Sequence, residues 1–447
     1  MIYCYDYDLI RKYFVNLTDQ IDLKVIAPQP SLFKHYCNFD IHQSPCEELQ
    51  MGLMCDIGVK NREPATIQRL IASGMTVARL DMRDLEPDAC AQLIQSIRQA
   101  VYNYSAELEY VYPLAIIVDV RSPAIITGDL KGGPKSIVDI IQYNTIRLTT
   151  DASWRESILW EKGKHILIIA CIDTVLGFEH VDELLDVADG IYVDRCVLST
   201  DLPIEKIFIA QKIISAKCNE AGKPCIFKAV INEQIPTLCV SDIANLVIDG
   251  VDVISLELHY DSPLKKFSPS FDSVKMAEHC LAAAAVICRQ AERTIWQPYI
   301  YGNTELMQSI LEEPTKAISI NAVELAMRSC AVVIICLTNS GRTAKLIAHA
   351  KPHCPIVAVT RACHTARQLR FWRGVRSLHY FEVAKTNWLA EVDSRVRAAL
   401  DYCKIKRILR TGDAYVLVTG SRRGVGYCDS VRLLYASARN TVDVDYQ

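Results

Sequence analysis

A chain of 447 residues, half of them apolar and 23% charged, can bury more than one core and is expected to form two or three domains. A formal charge of -3 excludes general attraction to nucleic acid or anionic membranes. The start, Met1 to Val15, carries acidic groups where a secretory leader is basic, and the apolar run Ala331–Leu337 is far too short to cross a bilayer.

From Met51 onward, short apolar runs alternate with helix-like stretches. The strands expected first are Thr76–Leu80, Leu114–Val118, Ile166–Cys171, Gly190–Val193, Cys225–Val230 and Val253–Leu256. Amphipathic helices fall between them, among them Pro64–Ser73, which opens on proline and precedes Gly74, and Glu205–Ala221, closed by Gly222. This pattern implies parallel strands covered on both faces, and it suits a barrel and an open sheet equally. Residues 129–163 lack sustained alternation and read as a loop or collapsed insert. A charged helix at Val274–Ala291 and a polar linker (Glu292–Tyr301) mark a boundary. Beyond it a second βα series follows, with strands at Ala331–Leu337, Ile356–Thr360, Leu378–Val383 and Tyr415–Thr419 and helices at Thr343–Ala350 and Asn387–Tyr402. The 18 cysteines stand singly, without C-x-x-C spacing. Reduced, mostly buried thiols in a cytoplasmic protein are expected, against the alternatives of disulfides or zinc.

Several strand-end segments resemble the pyruvate kinase family. Met54-Cys-Asp-Ile-Gly58 and Ser73-Gly-Met-Thr-Val-Ala-Arg-Leu80 look like its first two barrel strands, and Ile117-Val-Asp119 with Thr127-Gly128 like the third. Asp189-Gly-Ile191 and the run from Leu202-Pro203 to Ala221-Gly-Lys-Pro224 resemble the sixth-strand region and its helix. Ser241-Asp-Ile-Ala-Asn245, Thr338-Asn-Ser-Gly-Arg-Thr343 and Val359-Thr-Arg361 extend the likeness in order, from Ser31 to Ala436. The resemblance implies an α/β chain: a (β/α)8 TIM barrel over residues 31–128 and 164–292, and a C-terminal α/β domain over 293–447. Residues 1–30 would be an N-terminal segment. The family's inserted lid, which closes over substrate, would be reduced to a vestige at 129–163.

The resemblance also implies phosphoryl transfer from phosphoenolpyruvate to ADP, assisted by Mg2+ and K+. By position, the catalytic lysine is replaced by Cys171, an arginine by Ile126 and a threonine by Ala229. Of the two metal-binding carboxylates, Asp173 stands for a glutamate and Val197 for an aspartate. Magnesium requires several oxygen ligands in octahedral geometry, so the metal site is expected to be broken. Arg79 matches a phosphate-contacting arginine and Asp119 a monovalent-cation ligand, while Asp81, Arg83 and Val120 alter the other cation ligands. Losing one charge-stabilising group commonly costs about two or three orders of magnitude in rate, so several losses leave little.

Two readings of the mouth stay open. Arg83 or Arg121 supplies the missing charge, or Arg79, Asp81, Arg83 and Asp119 form a salt-bridge network that fills it. Cys171 is a passive or a reactive thiol. Lys228, Asp194 and Arg195 are further polar groups near strand ends. In the C-terminal domain, Thr338, Ser340, Gly341, Arg342 and Thr343 form a strand-to-helix turn suited to phosphate. Trp388, Arg395 and the turn from Thr419 through Gly424 to Gly426 resemble the remainder of the family's sugar-bisphosphate effector site. Expected partners are that effector and a homo- or hetero-tetramer with an intact pyruvate kinase; the favoured expectation is a catalytically impaired paralogue, the alternative an active enzyme.

Overall fold

The computed structural model describes residues 32–42, 44–45, 48–58, 61–81, 87–108, 110–119, 166–231, 236–258, 273–295, 314–422 and 428–437. The expected N-terminal segment, the insert at 129–163, and Arg83, Val120, Arg121, Ile126 and Gly424 lie outside them. The chain divides into two compact units: Met51–Ile287 forms one, and the remainder, including the stretch that precedes Met51, forms the other.

The first unit is built on seven strands: β1 (Gly52–Asp56), β2 (Val77–Asp81), β3 (Ala115–Asp119), β4 (Ile169–Ile172), β5 (Gly190–Val193), β6 (Cys225–Ile231) and β7 (Val253–Leu258). Their order is β3-β2-β1-β7-β6-β5-β4, and every pairing is parallel. The first strand therefore pairs with the last, which is how a βα barrel closes on itself. In an eight-fold count the remaining position falls between β3 and β4, where residues 120–165 are outside the described set. Leu53, Val77, Ala78, Ile226, Phe227 and Ile254 are wholly buried, because helices cover one face of each strand and the barrel interior the other.

Helices alternate with these strands: in chain order α1 (Leu32–Cys37), which belongs to the other unit, precedes β1, and α2 (Pro64–Ala72) and α3 (Pro87–Glu107) flank β2. After β4 come α4 (Val175–Glu179), α5 (Val181–Val187), α6 (Arg195–Asp201), α7 (Ile207–Ala221), α8 (Pro236–Ile248) and α9 (Ser273–Thr294). Proline begins α2, where its missing N–H costs nothing, and Gly222 ends α7 in the left-handed conformation. Gly190 opens β5 where any Cβ would lie 2.8 Å from Pro224, so only glycine lets β5 and β6 approach.

The second unit holds α10 (Pro314–Ser329), β8 (Val333–Leu337), α11 (Arg342–His349), β9 (Ile356–Thr360), α12 (Cys363–Gln368), β10 (Val375–His379), α13 (Trp388–Ile405), β11 (Ala414–Thr419) and β12 (Ser430–Tyr435). The sheet runs β10-β9-β8-β11-β12, parallel except for the β11/β12 pair. The strand expected over Leu378–Val383 is corrected. It lies at Val375–His379, and the chain leaves the sheet at Tyr380, whose hydroxyl donates to Glu382 and lies 2.7 Å from the Ser394 hydroxyl.

His353 sits in the turn before β9, where its Nε2 donates to the Ala331 carbonyl at 3.1 Å. Its Nδ1 is enclosed without a hydrogen-bonding partner among the described residues. Burial pushes this imidazole down from 6.5 to about 4. The unfolded chain binds the proton more readily, so His353 contributes stability that is complete above pH 6.5 and lost as pH falls to about 4. Urea unfolding at about pH 7 and about pH 4.5 should show a loss near 2–3 kcal/mol from this group, reduced in a His353→Leu variant.

Candidate functional site

Parallel strands deliver their C-terminal ends to one mouth of the barrel, and that is where polar residues interrupt the apolar runs. Arg79, Asp81 and Asp119 come from the ends of β2 and β3, where Asp81 and Asp119 are direct partners across the strands. Asp56 ends β1 and is the cross-strand partner of Arg79. The Arg79 guanidinium is buried and held on two sides, by Asp56 Oδ1 at 3.0 Å and by Asp119 Oδ2 at 2.5 Å, with Asp81 at 3.5 Å. Its centre lies 5.7 Å from the ring centroid of Tyr192, a buried residue of β5 whose hydroxyl reaches Ser255 of β7. Burial opposes charge on Arg79, but the surrounding carboxylates outweigh it and drive its pKa further up.

Cys171 lies in β4, and Asp173 follows immediately, only 4% exposed. Burial raises the Cys171 thiol well above its usual range, and Asp173, Asp119 and Asp194 raise it further. The thiol therefore stays protonated at neutral pH. The passive reading is the one this environment favours.

Asp194 follows β5 and caps α6, accepting from the amides of Cys196 and Val197. It also pairs with Lys228 of β6 at 2.8 Å. Arg195 pairs with Asp242 through both nitrogens, at 2.6 and 2.7 Å, and bonds the Lys228 carbonyl and Gln211. Ala229 is buried in β6, opposite Leu256.

Among the described residues, the two positions that the resemblance gives to metal-binding carboxylates do not fit a magnesium ion. Val197 is an aliphatic side chain, 41% exposed on the first turn of α6, and Asp173 is one carboxylate where octahedral coordination needs several oxygens. Among the described residues no group of His, Cys, Asp or Glu has the arrangement to hold a metal. Asp119, given by the resemblance as a monovalent-cation ligand, accepts from Arg79 through Oδ2 at 2.5 Å.

The second unit offers a different site. In its sheet β8 lies between β9 and β11, so the crevice at the C-terminal ends of β8 and β11 is a topological switch point, where open α/β sheets bind ligands. The loop Thr338–Gly341 leaves β8 there and α11 begins at Arg342. Gly341 caps that helix at φ 83°, and a Cβ would meet Thr365 at 3.0 Å and Leu369 at 3.1 Å. Its amide is held by the Thr338 hydroxyl at 3.0 Å, while Asn339, Ser340 and Arg342 are exposed. Thr343 is buried against the Cys428 sulfur at 3.3 Å.

Trp388 donates from Nε1 to the Gly420 carbonyl at 3.0 Å, which joins the start of α13 to the turn after β11. Arg395 is brought beside it, its centre 5.9 Å from that ring, but bonds Glu391 through Nε at 2.7 Å. Glu391 also takes Arg361 at 2.7 and 2.9 Å. Despite burial, the Lys385 amide and the two guanidiniums hold the Glu391 carboxyl down to about 2.

Comparison with known proteins agrees with this architecture. The family model described as "Pyruvate kinase, barrel domain" matches residues 49–158 and 135–259, and "Pyruvate kinase, alpha/beta domain" matches 316–434. The chain is 27% identical to "Pyruvate kinase PKLR" of Homo sapiens over 522 aligned residues, covering 92% of this chain and 89% of that one. It is 33% identical to "Pyruvate kinase 1" of Trypanosoma brucei brucei over 69% of this chain and 60% of that one. With "Pyruvate kinase" of Schizosaccharomyces pombe it shares 34% over 71% and 62%.

Asp56 and Tyr192 escaped the sequence reading, although Asp56 is the one charge in the apolar run Gly52–Ile57, a pattern that marks a strand end. Native-state alkylation read by mass spectrometry should modify the exposed Cys37 and Cys196 readily and spare Cys171 by about tenfold or more, since only the thiolate reacts.

Proposed function

Because the chain belongs to the pyruvate kinase family, we propose that it is a member whose barrel no longer transfers phosphate and whose role is binding and regulation. The observation that carries this reading is the engagement of Arg79. In the family's chemistry an arginine here meets phosphate, and here it is buried among Asp56, Asp81 and Asp119. Phosphoryl transfer depends on cations that neutralise the moving charge. Where the family has its lysine, a metal-binding aspartate and a threonine, this chain has a neutral thiol at Cys171, an aliphatic group at Val197 and a methyl at Ala229.

The C-terminal site supports the binding half of the proposal. Thr338, Ser340 and Arg342 line a switch-point loop with the N-terminus of α11, a setting that favours a phosphate group. A sugar bisphosphate is the effector that fits the resemblance. Assembly with an intact family member, as a tetramer in the cytoplasm, would let such binding act on a working enzyme.

The test is direct. Purified protein supplied with phosphoenolpyruvate, ADP, Mg2+ and K+ and coupled to pyruvate detection should turn over at least about a thousandfold below the ordinary range of about 1–1000 per second. Turnover within that range overturns the proposal and establishes a working pyruvate kinase. Fructose bisphosphate titrated into the same preparation should release heat and raise the melting temperature; neither effect would remove the effector half.

A further inference from the structure

Three cations reach the described part of the barrel mouth, and each has its own carboxylate. Lys228 has Asp194 at 2.8 Å, with side chains 12% and 15% exposed. Arg195 has Asp242 in a two-point pair. Arg79 has three, and their placement is uneven. The Arg79 side chain is 9% exposed, whereas those of Asp56, Asp81 and Asp119 are 35%, 29% and 39% exposed. The arginine side chain is therefore more covered than its carboxylates. An anion that approaches Arg79 must displace oxygens already at hydrogen-bonding distance.

We propose that Asp56 is a specificity-determining residue that completes an internal anion cage around Arg79, takes the place of a ligand's phosphate, and excludes phosphorylated small molecules from the barrel mouth. The register explains why Asp56 has this effect. As the direct cross-strand partner of Arg79 in the parallel β1/β2 pair, it meets the guanidinium on the side opposite Asp119. Asp119 and Asp81 engage only the second terminal nitrogen, leaving the first to Asp56. Removing Asp56 frees that donor and lowers the negative charge over it, while two carboxylates still keep the buried arginine paired. Fixed like charge of this kind is a common means of rejecting a ligand. The inference rests on the proposed function only in taking Arg79 as the phosphate-directed residue, and it assigns the rejection to one side chain.

The experiment is calorimetric titration of phosphoenolpyruvate into the full-length wild type, Asp56→Ala, Asp56→Asn and Asp56→Ala/Arg79→Met. The cage predicts that Asp56→Ala binds at least about tenfold more tightly than wild type, which one carboxylate removed from a partly buried site can supply. The gain should vanish in the variant that also lacks Arg79, which separates it from binding at the C-terminal loop. Asp56→Asn keeps the volume and removes only the charge, so it carries the test if the alanine variant does not fold, with a gain in the same direction. Equal affinity in wild type and folded Asp56 variants, or a gain that survives Arg79→Met, overturns the cage. Turnover by wild type sinks the proposed function whatever the titration shows; an inactive wild type whose Asp56 variants gain nothing sinks the cage alone.

Discussion

The Arg79 guanidinium, buried at the end of β2 between Asp56 and Asp119, sets the character of the barrel. A buried arginine is costly to leave unpaired, since breaking a buried ion pair by removing a partner typically costs about 3–5 kcal/mol. The chain meets this requirement from three neighbouring strand ends, so the barrel needs no ligand to complete its mouth. Tyr192 below the guanidinium and the Lys228–Asp194 pair beside it extend the same solution. Each of these described cations is paired where it stands. That arrangement is the basis for proposing a barrel that rejects phosphate.

The C-terminal unit follows the opposite logic. Its strand order creates a crevice at the ends of β8 and β11, and Gly341 gives the loop a conformation that side chains rarely adopt. Ser340 and Arg342 are exposed there. Arg395 is the exception, since Glu391 draws both it and Arg361 into a buried network beside Tyr380. That network orders the start of α13, and with it Trp388 and the turn at Gly420. The loop geometry therefore rests on ion pairs that are fixed before any ligand arrives.

Most strands were legible because a buried parallel strand needs a continuous apolar run, and such runs are visible in the sequence. The Ala331–Leu337 and Ile356–Thr360 runs become β8 and β9 for that reason. The edge strand β12 was missed because its residues are only half buried, which leaves no continuous apolar run to read. Leu378–Val383 misled because Tyr380 looks like a strand residue, whereas its hydroxyl is needed outside the sheet. At the mouth, chain position identified Arg79, Asp81 and Asp119, but only the register of β1 against β2 brings Asp56 to the same guanidinium. Side-chain partners across parallel strands come from residues far apart in the chain, and a single sequence does not show them.

At the mouth the Arg79 charge is already met by carboxylates of this chain, and among the described residues no group beside Asp173 has the arrangement to hold a divalent ion. Diffraction from crystals grown with manganese and oxalate, a dianion that mimics the substrate's enolate, measures both at once. The account predicts Arg79 still bonded to Asp56 and Asp119, with no anomalous peak next to Asp173. An ordered manganese beside Asp173, with Arg79 turned from its carboxylates toward oxalate, would contradict it.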